Sequence, residues 1–196
     1  AILSKKKPLE VSQLVLGSEE RRVAMRATFR HGIKEFDVVN THLYWKPYHP
    51  FHKTIRLFQV KRVLSWAKSD RPEIICGDMN ATPRTKVMYY FYDRGYRSGH
   101  VLAHGKEPEW TCANPVANPE RTPREQLALY IYNLFQKYRL GIWRDVLDYV
   151  LATKQWKVTG AGIFGEHPSE RDSSLYPSDH RGVYIDTHLP LWKRAK

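Results

Sequence analysis

The strongest constraint on the fold of this chain is a pattern of strands that end in polar residues. In the segment 74–80, an apolar run ends at a glycine and then presents Asp78 and Asn80. Near the C-terminus, Asp179 and His180 stand just before another strand-like run. Strand ends are rigid positions whose side chains reach solvent, so they commonly carry catalytic or ligand-binding residues. The pattern predicts a sheet protein with a polar site at its strand ends.

These residue types suit the hydrolysis of a phosphate ester with a divalent metal. Carboxylates bind hard cations, an amide can donate to a developing phosphorane oxygen, and an imidazole can move or stabilise charge. Two further strand patterns add the same chemistry: residues 36–43 carry His42 near their end, and residues 145–151 place Asp148 between apolar residues. A phosphodiester-cleaving site is the function that these residues favour.

The order of four short motifs resembles the endonuclease/exonuclease/phosphatase superfamily, which has the deoxyribonuclease I-like fold. The motifs are Asn-Thr-His-Leu at 40–43, Gly-Asp-Met-Asn at 77–80, Leu-Asp-Tyr at 147–149 and Ser-Asp-His at 178–180. The resemblance implies an α+β protein, a four-layer α/β/β/α sandwich. The opening Ala-Ile-Leu-Ser-Lys resembles an internal strand of that family. We therefore expect residues 1–196 to form a single domain that corresponds to the C-terminal two-thirds of the family's domain and lacks the N-terminal strands of that domain.

The resemblance also implies how metal and phosphate are held. Asp179 would help to hold a catalytic Mg²⁺ or Mn²⁺, His180 would contact the scissile phosphate, and His42 would lie on the phosphate from the opposite wall. The family's principal metal ligand is a glutamate in a Gln-Glu motif, and no Gln-Glu dipeptide occurs in the sequence. We therefore expect weak metal binding and no activity from these 196 residues alone.

Three other motif residues receive roles around the attacking water. The resemblance implies that Asp78 orients or deprotonates this water, that Asn80 holds a non-bridging oxygen, and that Asp148 orients a histidine and fixes its tautomer. Because metal, water and phosphate must all be within reach of them, we expect the motif side chains to converge on one cleft.

Residues beside the motifs indicate a branch of the family. The segments 42–47, 55–59 and 80–83 resemble the deadenylases and 2′-phosphodiesterases that shorten RNA from its 3′ end, which implies an RNA exonuclease rather than a DNA endonuclease. Tyr44 and Trp45 are then candidates for stacking on bases, or they pack beneath a helix that follows. Residues 110–115 instead resemble a sphingomyelinase loop, which leaves a phospholipase C as an alternative. A third alternative is an inactive family member that serves as a binding module.

Composition bears on partners and compartment. The net charge of +12 favours polyanions, with nucleic acid first and an anionic membrane surface second. No apolar run approaches the roughly 20 residues that span a bilayer. Cys76 and Cys112 do not make a disulfide framework, which favours a reducing compartment, and we expect an intracellular protein.

Periodicity predicts the order of helices and strands. Apolar residues at helical spacing predict helices over 51–68 and 123–138, whereas alternating and continuous apolar runs predict strands. The predicted strands are several within 1–30, one that ends at His42, and those at 73–77, 146–152, 155–159 and 182–187. The proline-rich segment 108–122 predicts a loop, as does the glycine-rich segment 160–165, which no helix follows.

Overall fold

The computed structural model describes residues 1–17, 21–46, 49–67, 70–114, 123, 127, 143–165, 170, 178 and 180–189. These residues form ten strands and three helices. In chain order they are β1 (Glu10–Val15), β2 (Val23–His31), β3 (Lys34–His42), α1 (His52–Ala67), β4 (Glu73–Asp78), α2 (Lys86–Tyr92), β5 (Tyr96–Ser98), α3 (Gly99–His104), β6 (Cys112–Asn114), β7 (Trp143–Asp145), β8 (Asp148–Thr153), β9 (Lys157–Phe164) and β10 (Gly182–His188). None of the described helices is long and apolar enough to cross a membrane.

The largest sheet has six strands in the order β1-β2-β3-β4-β8-β5. Strands β3 and β4 run parallel, and α1 provides the crossover connection that a parallel pair requires. The register places His42 opposite Asp78 in this pair, and Asp78 opposite Asp148 where β4 meets β8 antiparallel. Three candidate site residues therefore lie side by side on three neighbouring strands.

Helices α1 and α2 share an apolar core with the six-stranded sheet. Val60, Val63 and Ala67 of α1 are fully buried together with side chains of β3, β4 and β8, namely Val39, Ile75 and Leu151. Each such aliphatic side chain contributes about 1.5–3 kcal/mol when it is fully buried, although less for alanine. This burial fixes the strands behind the candidate site.

A second sheet consists of β9 and β10, which pair antiparallel and contact α3 and β8. Gly99 at the start of α3 allows the close approach, because a Cβ there would lie 2.3 Å from Cγ2 of Ile185. The ring of Trp156, just before β9, meets Phe36 of β3 edge-on at 5.2 Å. A third, two-stranded sheet of β6 and β7 lies next to the candidate site.

Most of the predicted elements are present, and two loop predictions are wrong. Helix α1 and strands β3, β4, β8, β9 and β10 fall at or within a few residues of their predicted positions. The glycine-rich segment 160–165 was expected to be a loop, but residues up to Phe164 belong to β9. The ring of Tyr184 on β10 lies over Gly162 and occupies the space that a side chain would fill, which explains how glycine is accommodated in a strand.

The segment 108–122 was also expected to be a loop, but its described part contains strand β6. The helix predicted at 123–138 lies outside the described residues except for Pro123 and Leu127. Helices α2 and α3 were not predicted, because both are too short to show a clear helical period.

Candidate active site

The end of β4 approaches β3 so closely that only glycine fits at position 77. Gly77 has φ +128°, and a Cβ at this position would lie 1.9 Å from the carbonyl oxygen of Thr41. The backbone of Leu43 then donates to the carbonyl oxygen of Asp78 at 2.9 Å. This packing holds Asp78 beside His42, with 3.2 Å between Oδ2 and Nε2.

Both carboxylate oxygens of Asp78 are held by Asn80. The Asn80 backbone N–H donates to Oδ1 of Asp78 at 2.7 Å, and its side-chain Nδ2 lies 3.1 Å from Oδ2. The same Nδ2 donates to the carbonyl oxygen of Leu43 at 3.1 Å, and Asn80 adopts φ +46°. In this structure the amide therefore positions Asp78, whereas its predicted contact with a phosphate oxygen stays a prediction.

An aspartate–histidine pair, Asp148 and His180, stands next to Asp78. Nδ1 of His180 lies 2.8 Å from Oδ2 of Asp148, so the Nε2 side of the ring points away from this carboxylate. The imidazole is 28% exposed and the carboxylate 17%. Asp148 thus engages Nδ1 of His180, and Cys112 is a second hydrogen-bonding partner of the imidazole.

Thr111 locks this pair in place. Its hydroxyl donates to Oδ2 of Asp148 at 2.8 Å and accepts from the backbone N–H groups of Leu147 and Asp148 at 2.9 and 3.0 Å. Because two backbone donors occupy its lone pairs, the hydroxyl hydrogen is directed at the carboxylate. Thr111 is fully buried, so each of these bonds is shielded from water.

Burial and neighbouring charge shift the protonation of the site. Burial raises the pKa of Asp78 to about 6, and the charge of Asp148 adds to this effect. The hydrogen bond with Asp148 raises the pKa of His180 well above its usual range, and contact with Cys112 adds to the shift. Near neutral pH the site therefore contains a carboxylate that can accept a proton beside an imidazolium.

Three of these side chains also form a possible metal site. One ligand atom each from Asp78, Asp148 and His180 lies within 4.8 Å of the others. Carboxylate oxygens are the ligands that Mg²⁺ and Mn²⁺ prefer, and Nδ1 of His180 is engaged with Asp148. The residues present fit a hard divalent cation held by the two carboxylates and water.

The structure brings together five of the predicted site residues: His42, Asp78, Asn80, Asp148 and His180. Asp179, the predicted metal ligand, lies outside the described residues. Tyr44 is 2% exposed and packs in the core, so its ring has no face on which a base could stack. Trp45 is half-buried and stays a candidate for that role.

Two positioning residues were not found from the sequence. Thr111 lay in a segment interpreted as a loop, and Arg56 lay in the segment 55–59, whose resemblance indicates only the branch of the family. Arg56 is buried, and its guanidinium donates to the carbonyl oxygens of Tyr44 (2.8 Å) and Asn80, which ties the two strand-end loops together. The sequence signal for this role is that Arg56 shares a helix face with Val60, Val63 and Ala67, at spacings of four, three and four residues.

The sequence of the chain matches a protein family and resembles a protein of known name. A model of the endonuclease/exonuclease/phosphatase family matches residues 1–180. The chain is also similar to 2',5'-phosphodiesterase 12 of Mus musculus, with 26% identity over 118 residues, which is 57% of this chain. The match spans only 19% of that longer protein.

Solved structures share the fold at low sequence identity. The structure of D. rerio TDP2 complexed with single strand DNA product has a TM-score of 0.68 at 16% identity, covering 93% of this chain and 68% of that one. A mannosyl-6-phosphatase of Bacteroides thetaiotaomicron has a TM-score of 0.64 at 14% identity, covering 93% and 67%. The predicted α+β sandwich is thereby confirmed, with two strands in the second sheet among the described residues.

Proposed function

The chain belongs to the endonuclease/exonuclease/phosphatase family, and from this premise we propose that the full-length protein is a divalent-metal-dependent phosphodiesterase that shortens RNA from its 3′ end. The observation that carries the proposal is the convergence of His42, Asp78, Asn80 and the Asp148–His180 pair on one edge of the sheet. Hydrolysis of a phosphodiester requires a base, a charge stabiliser and fixed geometry, and these side chains can supply all three.

Asp78 is the proposed general base. With a pKa of about 6, most of the carboxylate is ionised at neutral pH, and its proton affinity is still high enough for it to accept a proton from the attacking water. Asn80 fixes both of its oxygens, so the carboxylate keeps one orientation as the water attacks. His42, about half exposed beside Asp78, can donate to a phosphate oxygen from the solvent side.

We propose that His180 stabilises the negative charge that develops on the non-bridging oxygens of the phosphate during hydrolysis. The Asp148 carboxylate keeps the imidazole protonated, and its Nε2–H can then donate to the phosphate. Thr111 prevents the carboxylate from rotating away. Asp148, together with Asp179 as the resemblance implies, would hold a divalent cation that neutralises charge at the phosphate and lowers the pKa of its water, so that Asp78 stays unliganded as the base.

Nucleic acid is the proposed substrate for two reasons. The net charge of +12 attracts a polyanion, and the similar mouse protein is named a 2',5'-phosphodiesterase. The TDP2 structure with single strand DNA product adds a neighbour of the same fold bound to nucleic acid. RNA is favoured over DNA by the residues that flank the motifs, at 42–47 and 80–83.

The test is hydrolysis by the full-length protein of labelled oligo(A), duplex DNA and sphingomyelin, each with Mg²⁺ and with EDTA. We expect stepwise shortening of oligo(A) from the 3′ end that EDTA abolishes. Turnover of sphingomyelin alone would contradict the nuclease proposal in favour of a lipase. Absence of turnover with every phosphodiester would favour a binding module.

A further inference from the structure

Two arginines lie against one tryptophan directly beside the Asp148–His180 pair. The guanidinium carbon of Arg181 is 3.1 Å from the ring centroid of Trp110, and that of Arg144 is 4.8 Å from it. We call this group the Arg144–Trp110–Arg181 stack. None of its members takes part in the chemistry described above.

The backbone connects the stack to the active site at two points. Trp110 immediately precedes Thr111, and Arg181 immediately follows His180. The backbone N–H of Arg181 donates to the carbonyl oxygen of Thr111 at 2.7 Å, which joins the two segments. The stack is therefore fixed one residue away from Thr111, which positions Asp148, and one residue away from His180.

The arrangement suits recognition of a phosphate. A guanidinium that lies against an indole has lost much of its rotamer freedom before any ligand arrives, while the exposed side chain of Arg144 can donate two parallel bonds from its in-plane N–H edge. Preorganisation of this kind increases affinity because less entropy is lost on binding. With two guanidinium groups against the ring, Trp110 serves as their support rather than as a platform for a base.

We propose that the Arg144–Trp110–Arg181 stack binds a phosphate of the substrate strand next to the phosphate that is cleaved. The proposal rests on the proposed nuclease function and narrows its substrate class: the substrate is a polynucleotide with at least two neighbouring phosphates, not an isolated phosphodiester. The carboxylate of Asp148 is already engaged within the site, since it bonds both His180 and Thr111.

The chain offers a matched control for loss of one arginine. Arg94 lies 3.8 Å from the ring centroid of Tyr90, and Lys61 lies 5.7 Å from the same centroid, so this ring also carries two cations. It lies on the helical side of the sheet, at α1 and α2, and has no backbone link to Thr111 or His180. Arg94→Ala removes the same charge and the same kind of contact outside the site.

The experiment compares two substrates of the full-length protein with Mg²⁺: a short labelled oligo(A) and bis(p-nitrophenyl) phosphate, which has no neighbouring phosphate. For Arg144→Ala and Arg181→Ala we expect KM for oligo(A) to rise about 10-fold and the slope of log KM against log salt to fall by about 1. Hydrolysis of bis(p-nitrophenyl) phosphate should stay within about twofold of the unsubstituted protein, because that substrate does not reach the stack. Arg181→Lys, which keeps the charge but not the planar fork, should give an intermediate KM.

Three results would overturn the inference. Equal losses on both substrates would mean that the stack only positions Thr111 and His180. An equal rise in KM for Arg94→Ala would mean that any positive charge serves. An unchanged KM for Arg144→Ala, an exposed position where folding is not at risk, would remove the phosphate contact itself. The nuclease proposal fails separately, if the unsubstituted protein cleaves bis(p-nitrophenyl) phosphate and no oligonucleotide.

Discussion

Strand β4 carries a carboxylate with a raised pKa at each end, Glu73 at its start and Asp78 at its finish. Burial raises the pKa of Glu73 to about 7, a change as large as those found for many catalytic groups. Asp78 has the smaller final pKa, about 6, yet it is the residue that lies in the candidate active site. The size of a pKa shift therefore does not distinguish the two ends.

The partners of the two carboxylates do distinguish them. Glu73 is 2% exposed, accepts a hydrogen bond from the Tyr96 hydroxyl, and neighbours Asp37, which is itself closed off by a bond from Thr28 at 2.6 Å. Asp78 instead faces His42, which is half exposed, and lies within reach of His180. A buried carboxylate is a candidate for catalysis when its partners reach solvent, and a structural group when its partners close around it.

The largest effect should come from Asp78→Asn. This substitution keeps the shape of the side chain and its bond from the Asn80 backbone but removes the proposed base, so we expect kcat of the full-length protein to fall roughly 10³-fold. The melting temperature should be unchanged or higher, because a buried charge is lost. The measurement is hydrolysis of oligo(A) together with thermal unfolding. If activity falls by less than about tenfold, Asp78 is not the base, and the proposed difference in role between Asp78 and Glu73 is wrong.

Gly77→Ala should destabilise the fold more than any other single change at this end of the sheet. The new Cβ would collide with the Thr41 carbonyl at a φ that alanine rarely adopts, and we expect the free energy of unfolding to fall by about 3 kcal/mol or more. Gly95→Ala is the matched control: φ is +84° but no atom lies within 4 Å of its Cβ, so about 1 kcal/mol should be lost. Equal losses in urea unfolding would show that the close approach of β3 and β4 is not what requires glycine at 77.

Thr111→Val tests whether the fixed geometry around Asp148 matters for catalysis. Valine cannot bond the carboxylate or accept from the two backbone N–H groups, so we expect kcat to fall about 30-fold, equivalent to about 2 kcal/mol, with little change in KM. Thr111→Ser keeps the hydroxyl and should restore most of the activity. If serine and valine variants are equally impaired, packing of the methyl group and not the hydroxyl bond is responsible.

Glu73→Gln should give the smallest effect, seen in stability and not in activity. In the folded protein Glu73 keeps its proton up to a pH of about 7, whereas the unfolded chain ionises near 4.5. The raised pKa stabilises the fold fully below pH 4.5, and this contribution is lost as the pH rises through 7. Glutamine stays neutral and can accept from Tyr96, so it should add about 2 kcal/mol at pH 8.5 and nothing at pH 4.

Urea unfolding at the two pH values measures this effect, and hydrolysis of oligo(A) serves as the control. A gain at pH 4 as large as that at pH 8.5 would mean that ionisation of Glu73 is not its cause. A large loss of activity would mean that the closed end of β4 contributes to catalysis, which would break the distinction drawn between its two carboxylates.

The features that could be predicted from the sequence are those that depend on adjacent residues. Helix α1 and strands β3, β4 and β8 follow local periodicity. His42 and Asp78 were found because each stands at the end of such a run, and Asp148 was found through the Leu-Asp-Tyr motif. The motif order, and the family to which it pointed, are confirmed by the family match over residues 1–180. Local pattern and short motif are properties of a few adjacent residues, which is why a single sequence sufficed for them.

Thr111 and Glu73 could not be found in this way, because their roles depend on residues far apart in the chain. Thr111 matters through Asp148, 37 residues later, and Glu73 through Tyr96, 23 residues later. Tyr44 shows the reverse error: it stands beside a motif and has a base-stacking ring, but tertiary packing buries it. Burial and long-range pairing are set by the whole fold, so residue type and neighbours in sequence do not reveal them.

The chain order of the site matters while the protein is being made. His42 and Asp78 leave the ribosome before Asp148 and His180, which follow at a synthesis rate of about 5–20 residues per second. A nascent chain that ends before residue 180 lacks the imidazolium that we propose for the scissile phosphate. We therefore expect the proposed nuclease to stay inert next to the messenger RNA that encodes it until nearly all of this chain has been translated.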